Sequence, residues 1–200
     1  LNTGNLTAQQ VDWAAEWLQG WAALLRLAMT QSAGEGFWLD LGRGEFAVLS
    51  SLGADLRVYD SNLGGEIQGS VVLPAGSNPY CAALEGGTVY VTLLLTSKVA
   101  VVDLASMSVS NQWDVPANPY GIAVSGGRVF VTHGNWPDPS SPGGVTVLDR
   151  ATGEKLAWLD TGLNTLWAWT SPGTGMVHCG ATTYNDDGTV SIIDPATLQV

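Results

Sequence analysis

The decisive stretch reads Asn118-Pro119-Tyr120-Gly121-Ile122-Ala123-Val124, then Ser125-Gly126-Gly127, then Arg128-Val129-Phe130-Val131-Thr132-His133. After a loop rich in Pro and Ser it resumes as Gly144-Val145-Thr146-Val147-Leu148-Asp149. Branched and aromatic residues fill these short runs, and Gly, Pro, Ser and Asp punctuate them, as in β-strands joined by turns. Strand A is expected at Tyr120 to Val124, strand B at Arg128 to His133 and strand C at Gly144 to Asp149. The turn Asp149-Arg150-Ala151-Thr152-Gly153 then leads to strand D, Glu154 to Asp160.

The same ruler fits elsewhere. Phe46-Ala47-Val48-Leu49-Ser50 is followed by Leu56-Arg57-Val58-Tyr59-Asp60, and Val89-Tyr90-Val91-Thr92 by Val99-Ala100-Val101-Val102-Asp103. A weaker copy reads Met176-Val177-His178-Cys179, then Val190-Ser191-Ile192-Ile193-Asp194. The closing aspartates Asp60, Asp103, Asp149 and Asp194 are 43, 46 and 45 residues apart. A second marker runs in step: Asn78-Pro79-Tyr80 recurs as Asn118-Pro119-Tyr120, and Asn164-Thr165-Leu166 holds the same place. Upstream, Phe37 to Leu41 and the Gly42-Arg43-Gly44 turn also fall into register.

A period of about 40–45 residues with four short strands is the signature of propeller blades. The expected fold is therefore all-β, a β-propeller of four-stranded blades with strand A innermost. About four blades and a partial N-terminal one are present, divided at 1–35, 36–76, 77–116, 117–162 and 163–200. Blades packed face to face bury both sides of each sheet, which accounts for 46% hydrophobic and only 12% charged residues. The recurring Asp is read as structural, its carboxylate accepting N–H bonds in the turn.

One segment breaks the pattern. Leu1 to Asn5 resembles Val131 to Asn135, as if the chain opened inside strand B of an earlier blade. Between residues 9 and 31, however, Trp13, Trp17 and Trp21 recur every fourth residue, with Leu24, Leu25 and Ala28 continuing the face. This pattern predicts an amphipathic helix on the propeller edge. A degenerate strand pair, or a helix for a partner or membrane surface, is the competing reading. Asp12 and Glu16 against Arg26 leave it without the basic face of a membrane helix. No initiator Met or signal peptide opens the sequence, and its ends fall within repeats, so a fragment or processed chain is expected.

Composition excludes several classes. High hydrophobicity with low charge is not that of a disordered chain. No apolar run is long enough for a membrane span; the best, Trp17 to Met29, is short and carries Arg26. A net charge of −11 repels phosphate backbones and anionic lipid, so no nucleic-acid partner is expected. Cys81 and Cys179 have no zinc or CxxC spacing and are read as two buried thiols rather than a disulfide.

The run Asn-Pro-Tyr-Gly-Ile-Ala-Val at 118 to 124, Arg-Val-Phe-Val-Thr at 128 to 132 and Val-Thr-Val-Leu-Asp at 145 to 149 resembles the YVTN-type β-propeller repeat. Tyr90-Val91-Thr92-Leu93 is close to the tetrapeptide that names it. That family includes bacterial YncE-like and surface-layer-associated proteins. The resemblance covers roughly Phe37 to Val200. It implies a seven-bladed ring, completed by remaining blades of a longer chain, and export to the periplasm or cell surface. It implies little about activity, because the repeated residues are those that build a blade.

Chemistry is expected where the D-to-A and B-to-C connections meet over the central channel, since loops vary there without disturbing sheets. The longest B-to-C loops are His133 to Gly143 and Ala181 to Gly188. Their departures from the repeat nominate Asn135, Trp136, Asp138, Tyr184, Asp186 and Asp187 as ligand-binding residues. Trp136 offers a stacking surface, and the carboxylates offer acceptors. The Asn-Pro pairs are read as turn formers, and His133 and His178 as residues that end or fill strand B. Asn185-Asp186-Asp187-Gly188 lacks the alternating acids of a calcium loop. No nucleophile elbow, HExxH or phosphate loop occurs, so no catalytic residue, metal or cofactor is nominated. The preferred function is a non-catalytic binding or scaffold propeller with a protein or small-molecule partner. The alternative is an enzymatic propeller, lactonase-like or quinoprotein-like, whose site would be shared with further blades.

Overall fold

The structure, a computed structural model, describes residues 36–42, 44–60, 66–135, 143–182 and 188–200. The segment 9–31, with its expected helix, lies outside them. All regular structure in the described residues is β, in fifteen strands. The first sheet holds β1 (Gly36–Gly42), β2 (Glu45–Ser50), β3 (Asp55–Asp60) and β4 (Glu66–Val72). The second holds β5 (Pro79–Glu85), β6 (Thr88–Leu93), β7 (Lys98–Asp103) and β8 (Ser108–Asp114). The third holds β9 (Pro119–Ser125), β10 (Arg128–His133), β11 (Gly144–Asp149) and β12 (Lys155–Leu159). The fourth holds β13 (Thr165–Thr170), β14 (Val177–Thr182) and β15 (Gly188–Ile193). Three sheets have four antiparallel strands in sequence order and the last has three. This is a series of blade-like meanders.

The turns explain the short repeat. Asp149 Oδ1 accepts the N–H groups of Ala151 and Thr152 at 2.9 Å each. Asp103 Oδ1 accepts from Ala105 at 3.0 Å, and Asp194 Oδ1 from Ala196 at 2.7 Å. Hydrogen bonds to the ionised form hold all three carboxyls below their ordinary value: mainly the Ser106 hydroxyl at Asp103, the Thr152 amide at Asp149 and the Ala196 amide at Asp194. Four residues after each Asp the chain enters the left-handed region, at Met107, Gly153 and Leu198, with φ of 50°, 75° and 61°. The recurring Asp is thus a turn former, as its spacing implies.

Consecutive sheets pack face to face. Leu49, Leu56 and Val58 of the first meet Val89, Val91 and Val102 of the second. Tyr90, Val99 and Trp113 on the other face of the second meet Val129, Val131 and Leu148 of the third. Phe130, Val145 and Val147 then meet Val177, Cys179 and Ile193 of the fourth. The two thiols are free, Cys179 buried and Cys81 half-buried.

The fourth sheet is packed on one face only among the described residues, as expected for a last sheet that no further described blade covers. There Trp167 and Trp169 of β13 are 54% and 47% exposed, and Val190 and Ile192 of β15 are 61% and 48% exposed. No described sheet follows to cover them.

Candidate functional site

The first strand of each sheet forms one of its edges, and these strands lie side by side: β1 against β5, β5 against β9, and β9 against β13. Side-chain hydroxyls stitch them together. Thr92 Oγ1, at the end of the Tyr-Val-Thr run in the second sheet, accepts the Cys81 N–H and donates to the Tyr120 carbonyl of the third, at 2.7 Å. Ser51 Oγ donates to the Pro79 carbonyl at 2.7 Å, and Thr170 Oγ1 to the Val124 carbonyl at 2.9 Å. Thr132 Oγ1 accepts the Gly121 N–H at 2.7 Å. A Cβ on Gly121 would lie 2.7 Å from the Ala168 nitrogen and 2.8 Å from the Leu166 oxygen, so this close approach demands glycine.

Along these strands runs an open groove of about 950 Å³. Phe37 and Leu39 of β1, Cys81 of β5, Val124 of β9 and Trp167 and Trp169 of β13 help to line it. Ala181, Gly188 and Thr189, which flank the β14–β15 connection, also line it. Burial raises the pKa of the Cys81 thiol, and that of Cys179 is pushed up to about 12 by burial, so both are protonated and poor nucleophiles at neutral pH. The groove offers apolar contact and strand edges rather than acid–base chemistry.

The loop end of the sheets is polar. Asn78, Asn118 and Asn164 all have left-handed backbone, with φ of 49°, 58° and 55°. Their carbonyls accept the N–H groups of Leu94, Gly134 and Thr182, each just past or at the end of the second strand of its sheet. The Asn-Pro signal thus marks a left-handed turn that closes each sheet. His133 ends β10 and is fully buried. Its Nδ1 lies 3.0 Å from the Ala117 carbonyl and must carry the proton to donate there, which leaves Nε2 as a bare acceptor. Nε2 and Thr146 Oγ1 have no hydrogen-bond partner among the described residues. Burial lowers the pKa of His133 to about 4, so the ring is neutral near pH 7. His178, within β14, instead stacks on Trp169 with ring centroids 5.1 Å apart.

Of the six nominated residues, Asn135 is described. It follows β10, is 4% exposed, and its N–H donates to Asn164 Oδ1 at 3.4 Å. Trp136, Asp138, Tyr184, Asp186 and Asp187 lie outside the described residues. The sequence reading missed the groove and the uncovered pair Trp167 and Trp169; their i, i+2 spacing did place both on one face.

No protein-family model matches the sequence, and no curated protein matches it. Solved structures do. Hydrazine synthase of Kuenenia stuttgartiensis aligns with a TM-score of 0.67 at 19% identity, over 77% of this chain and 44% of that one. The present chain therefore spans less than half of that neighbour. The computationally designed Ika4 protein aligns with a TM-score of 0.60 at 17% identity, over 81% of this chain and 94% of the other. At such identities the likeness concerns the fold alone, and it fits a propeller-like arrangement of the sheets.

Proposed function

We propose that these sheets are blades of a YVTN-type β-propeller that acts as a non-catalytic binding or scaffold module, exported to the periplasm or cell surface. The observation that carries the binding reading is the apolar groove along the inner strands, whose lining reaches the residues flanking the β14–β15 connection. A concave apolar surface beside loops that carry a few polar groups is the usual form of a recognition site. The recurring polar residues serve the fold: Asp in turns, Asn in left-handed corners and Thr between strands. Ligand contacts are assigned to Asn135, Trp136, Asp138, Tyr184, Asp186 and Asp187, whose sequence departs from the repeat.

A ligand screen read by thermal shift tests this, comparing the parent protein with Trp136→Ala and Asp186→Ala. A ligand that stabilises the parent should lose about tenfold or more in affinity in at least one variant. Unchanged affinity in both, with the fold intact, moves the site elsewhere. Chemical turnover of the ligand would favour the enzymatic alternative.

A further inference from the structure

The junction between the second and third sheets holds two buried polar atoms at the loop end of its strands. His133 closes β10 and lies directly opposite Gly144 of β11. Thr146, two residues on, lies opposite Trp158 of β12. Register therefore puts His133, Thr146 and Trp158 on one face of the third sheet. It is the face of Val131 and Leu148, which packs against Tyr90, Val99 and Trp113 of the second sheet. His133 and Thr146 are both 0% exposed. The Trp158 ring walls the site on one side. Its centroid lies 5.3 Å from that of His133, and a Cβ at Gly144 would lie 2.6 Å from Trp158 Cζ2.

The two atoms are complementary, yet they are not joined to each other. The Nδ1–H of His133 is committed to the Ala117 carbonyl at 3.0 Å, so Nε2 can only accept. The Thr146 hydroxyl can donate one hydrogen bond and accept others. Neither Nε2 nor Oγ1 has a partner among the described residues. Buried groups of this kind are normally satisfied, and where two or more converge an internal water does it. Diagonal neighbours on one sheet face are about 7–8 Å apart at the backbone, a span that a ring and a hydroxyl narrow to the reach of one bridging molecule.

We propose that a single internal water is bound between these groups, donating to His133 Nε2 and hydrogen-bonded to Thr146 Oγ1. Burial of both groups selects the smallest polar ligand. A cation needs further ligands, and no group of three His, Cys, Asp or Glu side chains that could hold one occurs among the described residues. The water holds the neutral ring at its second nitrogen while Ala117 holds the first. It thereby ties the start of the long β10–β11 loop to the β8–β9 connection, where Ala117 lies.

Water-oxygen relaxation dispersion on the intact protein, which reports internal waters and not exchanging hydroxyl protons, tests the proposal. Thr146→Val should lose the equivalent of one long-lived water, and Thr146→Ser, which keeps the hydroxyl, should retain it. Urea unfolding adds a test of sign. Thr146→Val should raise the unfolding equilibrium constant about fivefold, the loss of one net hydrogen bond, whereas for a hydroxyl with no partner valine would relieve a desolvation penalty and stabilise the fold. In the parent protein the Nε2 nitrogen resonance should lie upfield of a free imine nitrogen, a readout that needs no variant. The proposal is overturned by a stabilising Thr146→Val or by a free-imine shift at Nε2. It is equally overturned by dispersion that T146V leaves unchanged, as when His133 and Thr146 bond directly.

Discussion

The third and fourth sheets carry nearly the same repeat, yet one is buried on both faces and the other on a single face. In the third, Val129, Val131 and Leu148 face the second sheet while Phe130, Val145 and Val147 face the fourth. In the fourth, Val177, Cys179 and Ile193 are buried and the alternate positions Trp167, Trp169, Val190 and Ile192 face solvent. Strand alternation sorts residues onto two faces, but a neighbour decides whether a face is core. One side-chain type should therefore carry very different energies in the two sheets.

The largest expected contrast is a truncation in the third sheet. Phe130→Ala should cost about 3–5 kcal/mol, because a fully buried ring leaves a cavity between two sheets. Urea unfolding measures it, and a loss below about 1 kcal/mol would mean that the third and fourth sheets are not packed as described.

The next contrast is in pH dependence. The His133 pKa falls from 6.5 to about 4 through burial, so the folded state binds that proton less tightly than the unfolded chain. Its contribution is whole above about pH 6.5, declines as pH falls toward about 4, and is flat below that. The difference is about 3 kcal/mol across the window. His133→Gln should flatten the stability profile there. The turn carboxyls do not confuse the measurement: their lowered pKa values place their losses at pH below the ordinary value of 3.8.

Gly121→Ala follows, at about 1–3 kcal/mol, since the added methyl meets backbone atoms of β13 that cannot swing away. The effect should appear as a lower melting temperature. The smallest is Ile192→Ala, expected within about 0.5 kcal/mol because the side chain is half-exposed.

How much of this was legible follows the same divide. The second and third strands of the third sheet begin and end where the sequence placed them, at Arg128 to His133 and Gly144 to Asp149, because branched residues in a doubly buried sheet are bounded sharply by Gly and Asp. Outer strands are half exposed and signal their limits less clearly: Glu154 to Asp160 was expected, and Lys155–Leu159 is found. The alternation Trp167-Ala168-Trp169 separates the tryptophans from Ala168, but it contains nothing about which face has a partner. The groove was illegible for a different reason. Its lining comes from four sheets, between Phe37 and Val190, and owes its shape to strand edges rather than to any local motif. Of the nominated loop residues, Asn135 is found tucked against Asn164 through its backbone.

The hydroxyl links between neighbouring sheets bear on how the molecule comes apart. Thr92 ties the second sheet to the third, Ser51 the first to the second, and Thr170 the fourth to the third; each joins a sheet to its immediate neighbour. Such coupling gives the described sheets nearest-neighbour cooperativity, each junction held by its own latch. Amide protons of β6 and β10, in sheets packed on both faces, should then exchange only through a wide opening.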